Sequence, residues 1–223
     1  MVLVVAHRGG LIFGEHNSVS AVKETISRKA ADIIEIDVWQ TKDGFICSHG
    51  GYIGLTGLCG FHAHSSEDIQ KHHKVDLFED IVKVVGKKCR LLIHFKSFQL
   101  DVPRFLKAIK SLKSPIFMSN KWNQIEVISR RVETVFFGYP SISSIRKAKA
   151  LGAKGIEFMS LRIPVRSVEE VKRQGMYFSA AGFHPAFLSQ NCSRMNKAIE
   201  LGAKWVVVDD PIKFKHDCLN GFL

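Results

Sequence analysis

Short runs of β-branched and aromatic residues alternate along the chain with longer stretches whose apolar positions recur every three or four residues. The runs predict strands at Val2–His7, Ile33–Val38, Arg90–Lys96, Pro115–Ser119, Thr134–Gly138, Gly155–Met159, Met176–Ala180 and Trp205–Asp209. The amphipathic stretches predict helices at Val19–Lys29, Leu77–Val85, Val102–Leu112, Trp122–Arg131, Ser141–Leu151, Ser167–Gln174 and Cys192–Leu201. Two helices run into one phrase, Leu151-Gly152-Ala153-Lys154 and Leu201-Gly202-Ala203-Lys204, in which glycine suits a left-handed C-terminal cap before the next strand.

Strand and helix alternating eight times imply a parallel sheet with right-handed crossovers. In 223 residues this gives about 28 residues per repeat, which fits a compact TIM (β/α)8 barrel. A doubly wound open sheet is the alternative. No linker or low-complexity stretch divides the chain, so residues 1–223 are expected to form one α/β barrel domain. Residues 39–76 break the rhythm with an Asp43-Gly44 turn signal, a glycine-rich stretch after Ser48-His49-Gly50, and several histidines. They predict a hairpin and an inserted loop or small subdomain after the second strand, over the barrel mouth.

Charge changes the picture within the strands. Glu35 and Asp37 are two apart in Ile34-Glu35-Ile36-Asp37-Val38, so on a strand they share a face. Two carboxylates on one buried face repel, and a metal ion between them is the natural third party. In a barrel, reactive groups belong at the C-terminal strand ends. His7 and Arg8 close the first strand, Glu35 and Asp37 the second, His94 and Lys96 the third, and His49 follows the hairpin. Arg8 and Lys96 can hold a phosphate, His7 and His49 can act as an acid–base pair, and a cation at Glu35 and Asp37 can polarise a phosphoryl oxygen.

These segments resemble the glycerophosphodiester phosphodiesterase family, whose pattern is matched by His7-Arg8-Gly9, Asn17-Ser18, Glu35-Ile36-Asp37-Val38, Thr41-Lys42-Asp43-Gly44, His49 and Lys96, and weakly by Asp209-Asp210-Pro211. The match is densest over residues 5–50. The resemblance implies a TIM barrel, a divalent cation (Mg2+ or Ca2+), and hydrolysis of a small-molecule phosphodiester to a phosphomonoester such as glycerol 3-phosphate and an alcohol. It implies acid–base or nucleophilic roles for His7 and His49, and phosphate binding by Arg8 and Lys96. Three positions depart from the pattern: His16 replaces an acidic residue, Gly50 replaces an aspartate, and His94 replaces the third metal-binding carboxylate. A neutral imidazole at His94 can still complete a site with Glu35 and Asp37, shifting preference toward Mn2+ or Zn2+. The alternatives are a divergent barrel that binds a phosphorylated ligand without turnover, or a lyase that stops at a cyclic phosphate.

Blander readings compete at each position. Glu35 and Asp37 can pair with Arg8 and Lys96 and hold no metal, and His94 can be a buried hydrogen-bonding residue. The spacing of His62, His64, His72 and His73 fits no zinc pattern and reads as a polar loop. Glu157 is placed to line the mouth; Asp209 and Asp210 are read as capping or pairing with lysines, and Cys47 as an apolar filler. The +11 net charge suits solubility, anionic substrates or peripheral contact with lipid. The cationic residues gather on no recognition helix, so no nucleic-acid partner is expected. The chain opens on Val2-Leu3-Val4-Val5 without a charged leader, and its five scattered cysteines show no CxxC spacing, so reduced thiols and a cytoplasmic location are expected.

Overall fold

The computed structural model describes residues 2–50, 60–159, 163–181 and 192–219. Eight parallel strands form a closed TIM barrel: β1 (Leu3–Ala6), β2 (Ile33–Gln40), β5 (Arg90–Phe95), β6 (Ile116–Ser119), β7 (Glu133–Gly138), β8 (Gly155–Phe158), β9 (Tyr177–Ala181) and β10 (Trp205–Val208). Neighbours follow chain order, and β1 pairs with both β10 and β2, which closes the sheet. Every sequence-derived barrel strand is present to within a residue or two.

Alternation along the strands divides the interior in two. Val5, Ile33, Leu92, Met118, Val135, Trp205 and Val207 fill the barrel itself. Residues one position away, such as Val4, Ile34, Ile36, Ile93, Phe117, Ile156 and Val206, pack outward against the helices. Those helices are α1 (Val19–Ser27), α3 (Phe78–Val85), α4 (Val102–Ala108), α5 (Trp122–Ile128), α6 (Ile142–Ala150), α7 (Val165–Arg173) and α8 (Cys192–Glu200). Side chains of Ser18, Asp101 and Ser141 accept from backbone N–H groups in the first turns of α1, α4 and α6. Gly152 and Gly202 take φ of 88° and 89° after α6 and α8, the left-handed caps that the repeated phrase anticipates.

The irregular segment is a hairpin addition at the end of β2. Strand β3 (Phe45–Cys47) runs antiparallel to it with Val38 opposite Cys47, and β4 (Asp76–Leu77) pairs antiparallel with β3. Part of the expected polar loop is instead a helix, α2 (Ser66–His72), started by the Ser65 side chain, which accepts from Asp68 N–H. The glycine-rich stretch at 51–59, with Cys59, lies outside the described residues. A short helix α9 (Pro211–Phe214) follows β10 and is capped by Asp210.

The cysteines correct the expectation of thiols throughout. Cys192 and Cys218 form a disulfide with Cα atoms 5.3 Å apart. The chain after β10 folds back along α8, so two cysteines separated by 26 residues meet through tertiary structure that local spacing does not reveal. Cys47 and Cys89 are thiols, and Cys47 is buried in the outer core. No described helix is long and apolar enough to cross a membrane.

At the base of the barrel, Glu133 accepts from Tyr177 Oη at 2.6 Å, Arg90 Nη2 at 2.6 Å and Lys204 Nζ at 3.0 Å. Burial opposes its ionisation, but these donors outweigh burial and hold the carboxyl at about 2. A depressed carboxylate pKa stabilises the fold above the unfolded value near 4.5 and loses that contribution as pH falls toward 2. Glu133→Gln is therefore expected to cost about 1–2 kcal/mol at pH 7, as read by chemical denaturation, given partial solvent screening. The gap from wild type should close between pH 4.5 and 2.

Candidate active site

The first strand ends in an unusual turn. Arg8 has φ 49° and Asn17 has φ 59°, both in the left-handed region, which costs about 1–3 kcal/mol per residue unless local contacts enforce it. Gly10 (φ 104°) has no room for a side chain, since a Cβ would lie 2.3 Å from Thr25 Oγ1. The contacts that hold this loop lead to β2. Arg8 N–H donates to Glu35 Oε2 at 2.8 Å, and Asn17 N–H donates to the Arg8 carbonyl at 2.8 Å. The Asn17 amide clamps Asp37 twice, accepting from its backbone N–H at 2.9 Å and donating to Oδ2 at 3.2 Å.

Glu35 and Asp37 point into the barrel, as their spacing predicts, and are 2% and 1% exposed. Strand pairing places Asp37 directly beside His94. His94 Nδ1 lies 3.4 Å from Asp37 Oδ1 and 3.7 Å from Glu35 Oε1, and its ring packs edge-on against Phe137 with centroids 4.8 Å apart. Lys96 Nζ reaches Asp37 Oδ1 at 2.9 Å, while Arg8 Nε is 3.4 Å from Oδ2. Buried Arg8 Nε makes no hydrogen bond.

Electrostatics separates the two carboxylates. Burial, reinforced by the Asp37 charge, pushes Glu35 well above the usual carboxylate range. Burial also works on Asp37, but His94 and Lys96 overcome it and hold that carboxyl at about 2. Burial and then Lys96 lower His94 to about 3. His94 is thus neutral at physiological pH, and Lys96 is the cation that keeps Asp37 ionised there.

Glu35, Asp37 and His94 offer one donor atom each within 4.8 Å of one another. This donor set fits a divalent cation: two carboxylates and a neutral imidazole converge, and a cation would relieve the repulsion that raises Glu35. Lys96 already contacts one of these oxygens, so the blander ion-pair reading accounts for part of the geometry.

The seven sequence-derived residues His7, Arg8, Glu35, Asp37, His49, His94 and Lys96 line one cavity of about 230 Å3 at the C-terminal end of the barrel. Met118, Phe137, Met159 and Val207 supply an apolar wall. His49 is exposed at the rim; burial lowers its pKa, aided by Arg8 and Lys96 and opposed by Asp37. His16 stands beside Arg8, with Nδ1 3.4 Å from Nη1. Gly50 contributes no side chain.

Two further acids belong to the site. Asp209 pairs with His7 and not with a lysine, correcting the sequence reading; its Oδ1 is 2.7 Å from His7 Nδ1. The register that aligns Val5 with Val207 carries His7 level with Asp209 one pleat further on. Asp210 caps α9, as anticipated. Glu157 lines the cavity from β8, accepting from Ser179 Oγ at 3.1 Å and Trp205 Nε1 at 3.4 Å. Burial drives its carboxyl up to about 7 despite these donors. Asn17 was visible as part of a motif, but nothing local in the sequence marks it as the clamp on Asp37.

No protein-family model matches the chain, and no curated protein matches it. Solved structures do. A glycerophosphodiester phosphodiesterase from Parabacteroides distasonis superposes with TM-score 0.76 at 18% identity, over 100% of this chain and 98% of that one. The corresponding enzyme from Thermotoga maritima gives 0.76 at 16%, over 97% and 98%. An Oleispira antarctica phosphodiesterase in complex with the product sn-glycerol-3-phosphate gives 0.78 at 16%, over 96% and 95%. At these identities the likeness establishes a common barrel.

Glu157 provides a check on the electrostatics. A raised carboxyl pKa makes the fold lose stability as pH rises from the unfolded value near 4.5 through about 7. Glu157→Gln keeps an acceptor for Ser179 and Trp205 without the charge. It should match wild type near pH 4 and exceed it by up to about 3 kcal/mol at pH 8 in denaturant titrations.

Proposed function

We propose that this chain is a glycerophosphodiester phosphodiesterase, hydrolysing a small glycerophosphodiester to glycerol 3-phosphate, or another phosphomonoester, and an alcohol. The observation that carries this reading is the convergence of two histidines, two basic side chains and a Glu–Asp–His donor set on one cavity. Structural neighbours named for this activity, one holding glycerol 3-phosphate, support it.

Arg8 and Lys96 are held by Asp37 at the mouth and bind the non-bridging phosphate oxygens, Arg8 through its planar fork and Lys96 as a point charge. His49, whose pKa partial burial lowers with help from Arg8 and Lys96, takes the proton of the attacking water. His7 protonates the leaving alkoxide. Its Nδ1–H donates to Asp209, which fixes the tautomer, leaves Nε2 to exchange the proton, and offers a counter-charge to the imidazolium. Glu35, Asp37 and His94 would hold a divalent ion, which when bound supplies Lewis-acid stabilisation of phosphoryl charge. The histidine donor favours Mn2+ or Zn2+ over Ca2+ or Mg2+.

The Lys96–Asp37 pair gives specific weight to a second reading: a phosphate-binding barrel whose basic residues neutralise the acids and which turns nothing over. One assay separates the two. With glycerophosphocholine and glycerophosphoethanolamine, and Mg2+, Ca2+, Mn2+ and Zn2+ in turn, phosphorus NMR should show a phosphomonoester. A cyclic phosphate as the end product would make the protein a lyase, and no product with any metal would leave the binding-only reading.

His7→Ala and His49→Ala should each lower kcat by roughly 10²–10⁴-fold, with little change in KM. Asp209→Asn should lower kcat by about 10²-fold or more through the wrong tautomer. The acidic limb of kcat/KM should fall below the ordinary imidazole value of 6.5.

A further inference from the structure

Seven connections lead from a helix into a barrel strand, and together they form the base of the barrel, opposite the cavity. They contain ten basic residues and one acidic residue, Asp32, a formal +9 that is reduced where Lys204 pairs with Glu133 at 3.0 Å and Arg28 with Glu24 at 3.0 Å. The charge is densest at Arg28-Lys29, Lys87-Lys88 and Arg130-Arg131, all exposed. Those pairs precede β2, β5 and β7. The intervening strand β6 is entered through residues 109–115, which add Lys110 and Lys113. Neighbouring turns touch: Arg90 Nε donates to the Ser114 carbonyl at 3.1 Å, and Lys113 N–H to the Gly86 carbonyl at 3.3 Å.

Cations in a last helical turn are favoured by the helix dipole, and this explains a bias toward basic residues there. It does not explain four adjacent turns with eight cations and one carboxylate. Among the described residues, Lys87, Lys88, Arg130 and Arg131 pair with no acid. Their mutual repulsion becomes attraction when an extended anionic surface faces them.

We propose that the base of the barrel docks on an anionic lipid bilayer. The charges lie on a ring of turns, suited to a broad planar partner. None of the exposed large apolar residues lies in these connections, so the base has no stacking platform of the kind single-stranded nucleic acid uses. The attachment is electrostatic and without insertion. It turns the mouth toward water, and, if the phosphodiesterase reading holds, selects water-soluble diesters over lipids still in the membrane.

Co-sedimentation with vesicles of phosphatidylcholine alone, or with about 30% phosphatidylglycerol, tests the proposal. Binding is expected only to the anionic vesicles, and should vanish at about 0.5 M salt, where screening shortens to a few ångströms. K87E/K88E/R130E/R131E should weaken it by roughly 100-fold or more, with the circular dichroism spectrum and any diester turnover unchanged. The same charge change at Lys23, Lys71, Lys213 and Lys215 should leave most binding intact. If the first variant does not fold, amine labelling of wild type should show Lys87 and Lys88 protected by anionic vesicles. Absence of binding, equal loss in both variants, unprotected lysines, or tight binding to duplex DNA with none to vesicles would each overturn the proposal. Diester turnover is measured separately, so its absence would count against the phosphodiesterase reading alone.

Discussion

Two carboxylates are buried on one face of β2, with almost no access to water. An uncompensated buried charge costs several kcal/mol, more than most single contacts in the fold contribute, so the surroundings of Glu35 and Asp37 are constrained above all else. The left-handed conformation at Arg8 follows from this need, because it directs a backbone N–H at Glu35. The same need accounts for the Asn17 clamp, which satisfies Asp37 from two sides. Lys96 and His94, on the neighbouring strand at the level of Asp37, complete the compensation. The residues that relieve the acids also bring cations and an imidazole to one opening, so the groups that stabilise the buried pair also set the charge of the cavity.

Barrel closure supplies the rest of the site. His7 and Asp209 are 202 positions apart in the chain and meet because the last strand pairs with the first. Glu157 enters from the opposite wall by the same parity that points Glu35 inward. The closed barrel also separates two environments. Acids, histidines and apolar side chains gather at the C-terminal ends of the strands, and the turns at the other end hold ten basic residues against one acid.

Much of this was legible in the sequence, for physical reasons. Buried parallel strands are continuous apolar runs, and helices are amphipathic, so both announce themselves by period. Charges interrupting such runs are expensive, which is why Glu35, Asp37, His94 and Lys96 stood out. Pairing was less legible. Asp209 looked like a cap because its partner lies on the first strand, and the Cys192–Cys218 bridge depends on a terminal segment folding back along α8. Helix α2 was hidden in a histidine-rich segment whose short apolar pattern is weak. The electrostatic state of Glu157 depends on burial that a single sequence does not show, although its alternation with Ile156 places it inside.

The claim that β2 holds its acids around a divalent ion is tested most directly by calorimetric titration of Mn2+ and Zn2+ into the purified protein, with Ca2+ and Mg2+ for comparison. One ion per chain is expected, bound more tightly as Mn2+ or Zn2+ than as Ca2+, with a rise in Tm on binding and loss of both effects in Glu35→Gln. Binding unchanged in that variant, or no binding of any of the four ions, would contradict that claim and leave Lys96 and Arg8 as the cations that balance the buried pair.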